Sequence, residues 1–128
     1  MKKLAGLLLL LALLAVPVSA SEREHTVVNK NATGTGATSA ATLWTPTSGN
    51  AFYLQGCMAS ANNASITVRF QVASADVIPP IRFESTGRYS VESGGAVIYE
   101  SAKDAVLTYT ITGGGAWSVL CWGWEERA

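Results

Sequence analysis

Ser65-Ile66-Thr67-Val68-Arg69-Phe70-Gln71-Val72-Ala73 decides the fold class. Ile66, Val68, Phe70 and Val72 take every second position, and Thr67, Arg69 and Gln71 fall between them. Side chains alternate between faces along a strand but recur every three or four residues on a helix. This spacing therefore predicts a strand with one face buried and one in water. Ala105 to Thr112 repeats the pattern, with Leu107, Tyr109 and Ile111 facing one way and Val106, Thr108 and Thr110 the other.

Working outward, the remaining segments have the same character. Leu43-Trp44-Thr45 precedes Pro46, and Thr47-Ser48-Gly49-Asn50 supplies a turn. Ala51 to Ala59 reads as a strand with Phe52, Leu54 and Met58 on one face and Tyr53, Gln55 and Cys57 on the other. Asn62-Asn63 is a turn signal, and Pro79-Pro80 confines Val77-Ile78 to an edge or a loop. Ile81 to Glu84, Arg88 to Glu92 and Ala96 to Glu100 are short strands, the last two joined by a Ser93-Gly94-Gly95 hairpin turn. Ser101 to Asp104 is a connection, Gly113-Gly114-Gly115 a turn, Ala116 to Trp124 the last strand, and Glu125 to Ala128 a charged tail. No segment has a helical period. About seven or eight short strands, spaced roughly 8–12 residues apart, predict an all-β antiparallel sandwich, jelly-roll-like in form.

The N-terminus sets the compartment. Met1-Lys2-Lys3 leads into an apolar run from Leu4 to Val16, followed by Pro17-Val18-Ser19-Ala20. A basic start, a short apolar stretch and small residues at a cleavage point form a secretory signal peptide. The run falls short of the roughly 20 residues a membrane-spanning helix needs. The expected organisation is a signal peptide over 1–20, a flexible N-terminal arm over 21–42 and a β-sandwich domain over 43–128, in a protein secreted or held at the cell surface. Membrane contact is expected only through an uncleaved signal. Within the polar, low-bulk arm, His25-Thr26-Val27-Val28 alone has β character. It reads either as a strand donated to a neighbouring subunit or as a leader or edge strand of its own domain.

Loss of Lys2 and Lys3 with the signal takes the formal charge from zero to −2. No basic stripe is present, so nucleic acid is not an expected partner. Cys57 and Cys121 are the two cysteines. An exported protein permits a disulfide between them, with two buried thiols as the alternative. Closing a loop of about 65 residues contributes roughly 3–4 kcal/mol on chain-entropy grounds.

Catalytic signals are weak. The single histidine, His25, falls in the arm, whereas a nucleophile–base pair needs a base held by a rigid scaffold. No His/Cys spacing suits zinc, and no calcium loop appears. Gly113-Gly114-Gly115 lacks the lysine and helix of a phosphate loop. Asp76, Glu84, Glu92, Glu100 and Asp104 read as solvated charges, with no pair marked for glycoside hydrolysis. No cofactor is expected.

Three of the four tryptophans, Trp117, Trp122 and Trp124, fall in the last strand. Trp117, Val119 and Cys121 take one face and Leu120, Trp122 and Trp124 the other, so both faces are apolar. A covered central strand, a subunit interface and a sugar-stacking platform that adds Tyr53 each account for this.

Leu43-Trp44-Thr45-Pro46-Thr47-Ser48-Gly49-Asn50-Ala51-Phe52-Tyr53-Leu54-Gln55-Gly56, taken with the ending Val119-Leu120-Cys121-Trp122-Gly123-Trp124-Glu125-Glu126, resembles small β-sandwich proteins of tailed-phage and prophage virions or of bacterial surfaces. Those often carry a TP-x-SG-x-x-F-x-L-x-G opening strand and a V-x-G-x-E-E closing strand. Here Cys121 stands where the valine would be. The resemblance spans Leu43 to Glu126 and implies a structural module that works as an oligomer. The leading expectation is a secreted, non-enzymatic subunit that self-assembles through strand edges and its aromatic C-terminal strand, with His25, Thr26, Val27, Val28, Trp122 and Trp124 at the interface. The alternative is an extracellular module that binds cell-surface glycans through Tyr53, Trp122 and Trp124.

Overall fold

The alternating segments pair as antiparallel ladders in a computed structural model that describes residues 25–63 and 65–128. The signal peptide expected over 1–20, and the start of the arm to residue 24, lie outside the described residues. In chain order the strands are β1 (Val28–Thr35), β2 (Thr38–Trp44), β3 (Asn50–Ala61), β4 (Ile66–Val72), β5 (Ala75–Asp76), β6 (Ile81–Phe83), β7 (Gly87–Glu92), β8 (Tyr99–Glu100), β9 (Leu107–Thr112) and β10 (Ala116–Arg127). They form two five-stranded sheets. The front sheet runs β1-β10-β3-β7, with β8 also pairing β3; the back sheet runs β2-β9-β4-β5, with β6 also pairing β4.

The alternation read from the sequence packs the two sheets face to face. Ile66, Val68 and Phe70 of β4 and Leu107, Tyr109 and Ile111 of β9 are buried from the back, and Phe52, Leu54, Trp117 and Val119 from the front. Each such side chain stabilises the fold by about 1.5–3 kcal/mol relative to exposure. Trp44 stacks on Phe52 at 5.2 Å, and Tyr109 meets Trp117 at 5.4 Å, so aromatic pairs cross the interior. Three inter-sheet turns meet at one end of the sandwich. Gly36 N–H donates to the Gly115 carbonyl at 3.0 Å, and Ala116 N–H donates to Asn62 Oδ1 at 2.8 Å. Gly36 and Gly115 have φ of 81° and 115°, the left-handed region that favours glycine.

Four expectations need correction. Residues 28–42, expected as part of a flexible arm outside a domain starting at 43, are instead β1 and most of β2. Low bulk there does not prevent burial, because the bulk comes from β10: the Trp117 ring fills the space beside Gly34, 2.6 Å from where a Cβ would stand. On β3, Cys57 faces inward with Phe52 and Leu54, and Met58 faces outward. The cause is a bulge: Trp122 pairs with Gly56 and Gly123 with Leu54, so β3 carries one extra residue, Gln55, and its faces exchange. The strand expected from Ala96 shrinks to Tyr99–Glu100, with Ile98 N–H donating to the Leu54 carbonyl. The last strand runs on past Trp124 to Arg127.

Candidate functional site

The site grows from β10 and β3. Alternation along β10 sends Trp117, Val119, Cys121 and Gly123 inward, and Ser118, Leu120, Trp122 and Trp124 outward. The ladder sets outward residues of β3 beside them: Ser60 beside Ser118, Met58 beside Leu120, Gly56 beside Trp122 and Tyr53 beside Trp124. Leu120, Trp122, Trp124, Met58 and Tyr53 are all half-buried, and no strand of the described residues lies above them. Asn29 and Asn31 of β1 flank them on one side, and Ser90 and Glu92 of β7 on the other.

The aromatic rings do not lie alike. His25 stacks on Trp124 at 4.4 Å with 14° between planes, and Tyr53 stacks on Trp124 at 5.6 Å with 7°. The three rings stand as a column, and both faces of Trp124 are taken. His25 Nδ1 lies 3.1 Å from Glu126 Oε1, which fixes the imidazole end of the column. At the other end Tyr53 stands opposite Glu100 in the β3–β8 ladder. Desolvation of its hydroxyl, then the Glu100 and Glu126 carboxylates, hold the phenol above its ordinary pKa. It stays a neutral donor through the physiological range. Trp124 Nε1 is buried without a hydrogen-bond partner. Trp122 behaves differently. Its six-membered ring occupies the place where a Gly56 Cβ would stand, so the indole lies across β3. That approach requires glycine at 56.

Sequence reasoning named His25, Tyr53, Trp122 and Trp124, and the structure gathers all four on the outer face of the front sheet. Thr26 and Val27 lead from His25 into β1, and Val27 is 51% exposed. Val28 pairs with Gly123 of its own chain. Cys57 and Cys121 are directly opposed on β3 and β10, Cα–Cα 4.1 Å, and joined by a disulfide facing the core rather than the site.

Two carboxylates were missed. Glu126 anchors His25, and Glu125 bridges the sheets: its Oε1 accepts from Trp44 Nε1 at 3.2 Å and from Thr47 N–H at 2.9 Å. The signal was there in the sequence, since the alternation of Trp122 and Trp124 continues to Glu126. Among the described residues no group of three or more His, Cys, Asp or Glu side chains is placed to hold a metal ion. No protein-family model matches the chain, and no curated protein matches it.

Proposed function

We propose that this chain is a secreted, non-enzymatic structural subunit that packs against further copies of itself through the outer face of the front sheet. The observation that carries the reading is the half-buried apolar row of Leu120, Trp122 and Met58, between the polar edges of β1 and β7, over which no described strand lies. A row of that kind adds nothing to the inner core, and burying it against a copy removes large apolar and aromatic groups from water. The leader sequence and the Cys57–Cys121 disulfide support export to an oxidising compartment. The strand orders β1-β10-β3-β7 and β2-β9-β4-β5 support a jelly-roll topology, an architecture used by both capsid and lectin domains. The resemblance to phage, prophage and bacterial surface proteins agrees with an assembly role.

The test is sedimentation velocity and negative-stain microscopy of the secreted chain starting at Ser21. Concentration-dependent oligomers or filaments are the expected result; a monomer at every concentration overturns the reading. A second reading, glycan binding, has one observation in its favour. Trp122 lies across the sheet with Asn29 and Glu92 on either side of its row, and so combines a ring with polar groups that can bond sugar hydroxyls. The column removes Trp124 from that role, because stacking on a sugar needs an open ring face. A glycan array without hits rejects this reading.

A further inference from the structure

Strand edges are where sheet proteins join, and natural sandwiches blunt them with short strands, proline, bulges or charges, inward-pointing ones included. Three of the edges here are blunted. On the back sheet, β2 carries Ala40 at φ 46° and two register shifts against β9. The opposite back edge is made of β5 and β6, two and three residues long, with Pro79-Pro80 just before β6. On the front sheet, β7 exposes Arg88 and Glu92, and β8 has two residues. β1 is the least blunted of the four edges. Its eight residues pair with β10 one to one without a shift, it holds no proline, and no described strand lies on its other side. Its one blunting feature is a single charge, Lys30, on the inner side opposite Cys121 in the ladder.

We infer that the β1 edge pairs antiparallel with β1 of a second copy, joining two front sheets into one continuous sheet. This rests on the self-assembly reading above and adds a second contact to it. The occupant is a copy of this chain because the strand is complementary to itself. A two-fold axis normal to the sheet keeps outer residues opposite outer residues. Centred on Asn31, it sets Asn29 opposite Thr33 and Lys30 opposite Ala32, so no like charges stand directly opposite, the two Lys30 are diagonal neighbours, and small neutral pairs fill the rest of the seam. An edge contact and a face contact on one subunit, each two-fold, extend without closing where their axes do not meet, so the product is larger than a dimer and is a filament or flat array in that case.

Two double variants test this, both changing exposed β1 positions. Asn29→Lys with Thr33→Lys sets two like-charged pairs across the seam. Asn29→Glu with Thr33→Lys sets two opposite-charged pairs. With thermal melting used to confirm folding, sedimentation velocity should show the lysine pair stopping at dimers or monomers, its edge association weakened at least tenfold, and the Glu/Lys pair restoring long assemblies. Amide exchange of the unmodified chain supplies the same answer without substitution: exchange across Val28–Thr35 slows as concentration rises. Long assemblies from the lysine pair, no rescue by the Glu/Lys pair, or unchanged exchange in β1 overturn the edge contact while leaving self-assembly standing. A wild-type monomer at all concentrations removes both.

Discussion

On the back sheet, Thr67, Arg69 and Gln71 of β4 and Thr108 and Thr110 of β9 turn outward, and all but Thr67 enter a polar network with Asp76 of β5. Gln71 Nε2 donates to Asp76 at 3.1 Å, Arg69 reaches Asp76 at 3.5 Å, Thr108 donates to the Gln71 carbonyl and Thr110 to the Gln71 side chain. On the front sheet the equivalent positions hold Leu120, Trp122, Trp124, Met58 and Tyr53. The inner faces are alike, since both sheets must fill the same core. The outer faces differ although folding asks nothing different of them. An apolar outer face on one sheet alone is the contrast on which the proposed self-assembly rests. The strands beneath differ as well: β3 and β10 are stapled by the disulfide, whereas the equivalent back-sheet strands, β4 and β9, oppose Val68 and Ile111.

The largest difference between the sheets should come from the staple. Cys57→Ala with Cys121→Ala is expected to lose about 2–5 kcal/mol of stability in denaturant unfolding. Ile111→Val, at the back-sheet position, should lose about 0.5–1.5 kcal/mol. Equal losses would remove this asymmetry. Next is the bridge between sheets. Glu125→Ala leaves Trp44 Nε1 buried without an acceptor and should lose about 1–3 kcal/mol by the same measurement.

The outer faces themselves are compared by one charge placed on each. Leu120→Glu should weaken assembly at least tenfold, about 1.4 kcal/mol, in sedimentation runs. Thr67→Glu should leave the sedimentation profile unchanged. A similar effect of both would make the aromatic face no more adhesive than the polar one.

The smallest effect is a pH signature confined to the front sheet. The Tyr53 phenol is raised in the folded state, so the neutral form is favoured there. Its contribution to stability is fully present below the ordinary tyrosine pKa and is lost as pH rises through the raised folded value. Stability at alkaline pH should therefore fall less steeply in Tyr53→Phe than in the unmodified chain, read by thermal melts across that range.

How much of this was legible depended on where the burying partner came from. β4 and β9 carry their own alternation, so their inner residues could be read directly from Ile66, Val68, Phe70, Leu107, Tyr109 and Ile111. β1 and β2 were not legible, because half-buried Gly34 packs against a ring that β10 supplies, and composition registers only a strand's own bulk. The faces of β3 were assigned by strict alternation, and one extra residue at Gln55 inverted everything after it, including Cys57 and Met58. At the site, the aromatic types named the face. What they omitted was that Trp124 would be sandwiched and Trp122 laid over Gly56, which follows from register across strands rather than from spacing along one.

Hydroxyl-radical footprinting of the chain starting at Ser21, compared between dilute and concentrated solution, tests assembly through the front sheet most directly. Oxidation of Met58 and Trp122 should fall as assemblies form, while Tyr89, 55% exposed on β7, keeps its rate. Unchanged rates at Met58 and Trp122 in a solution shown to hold oligomers would contradict it.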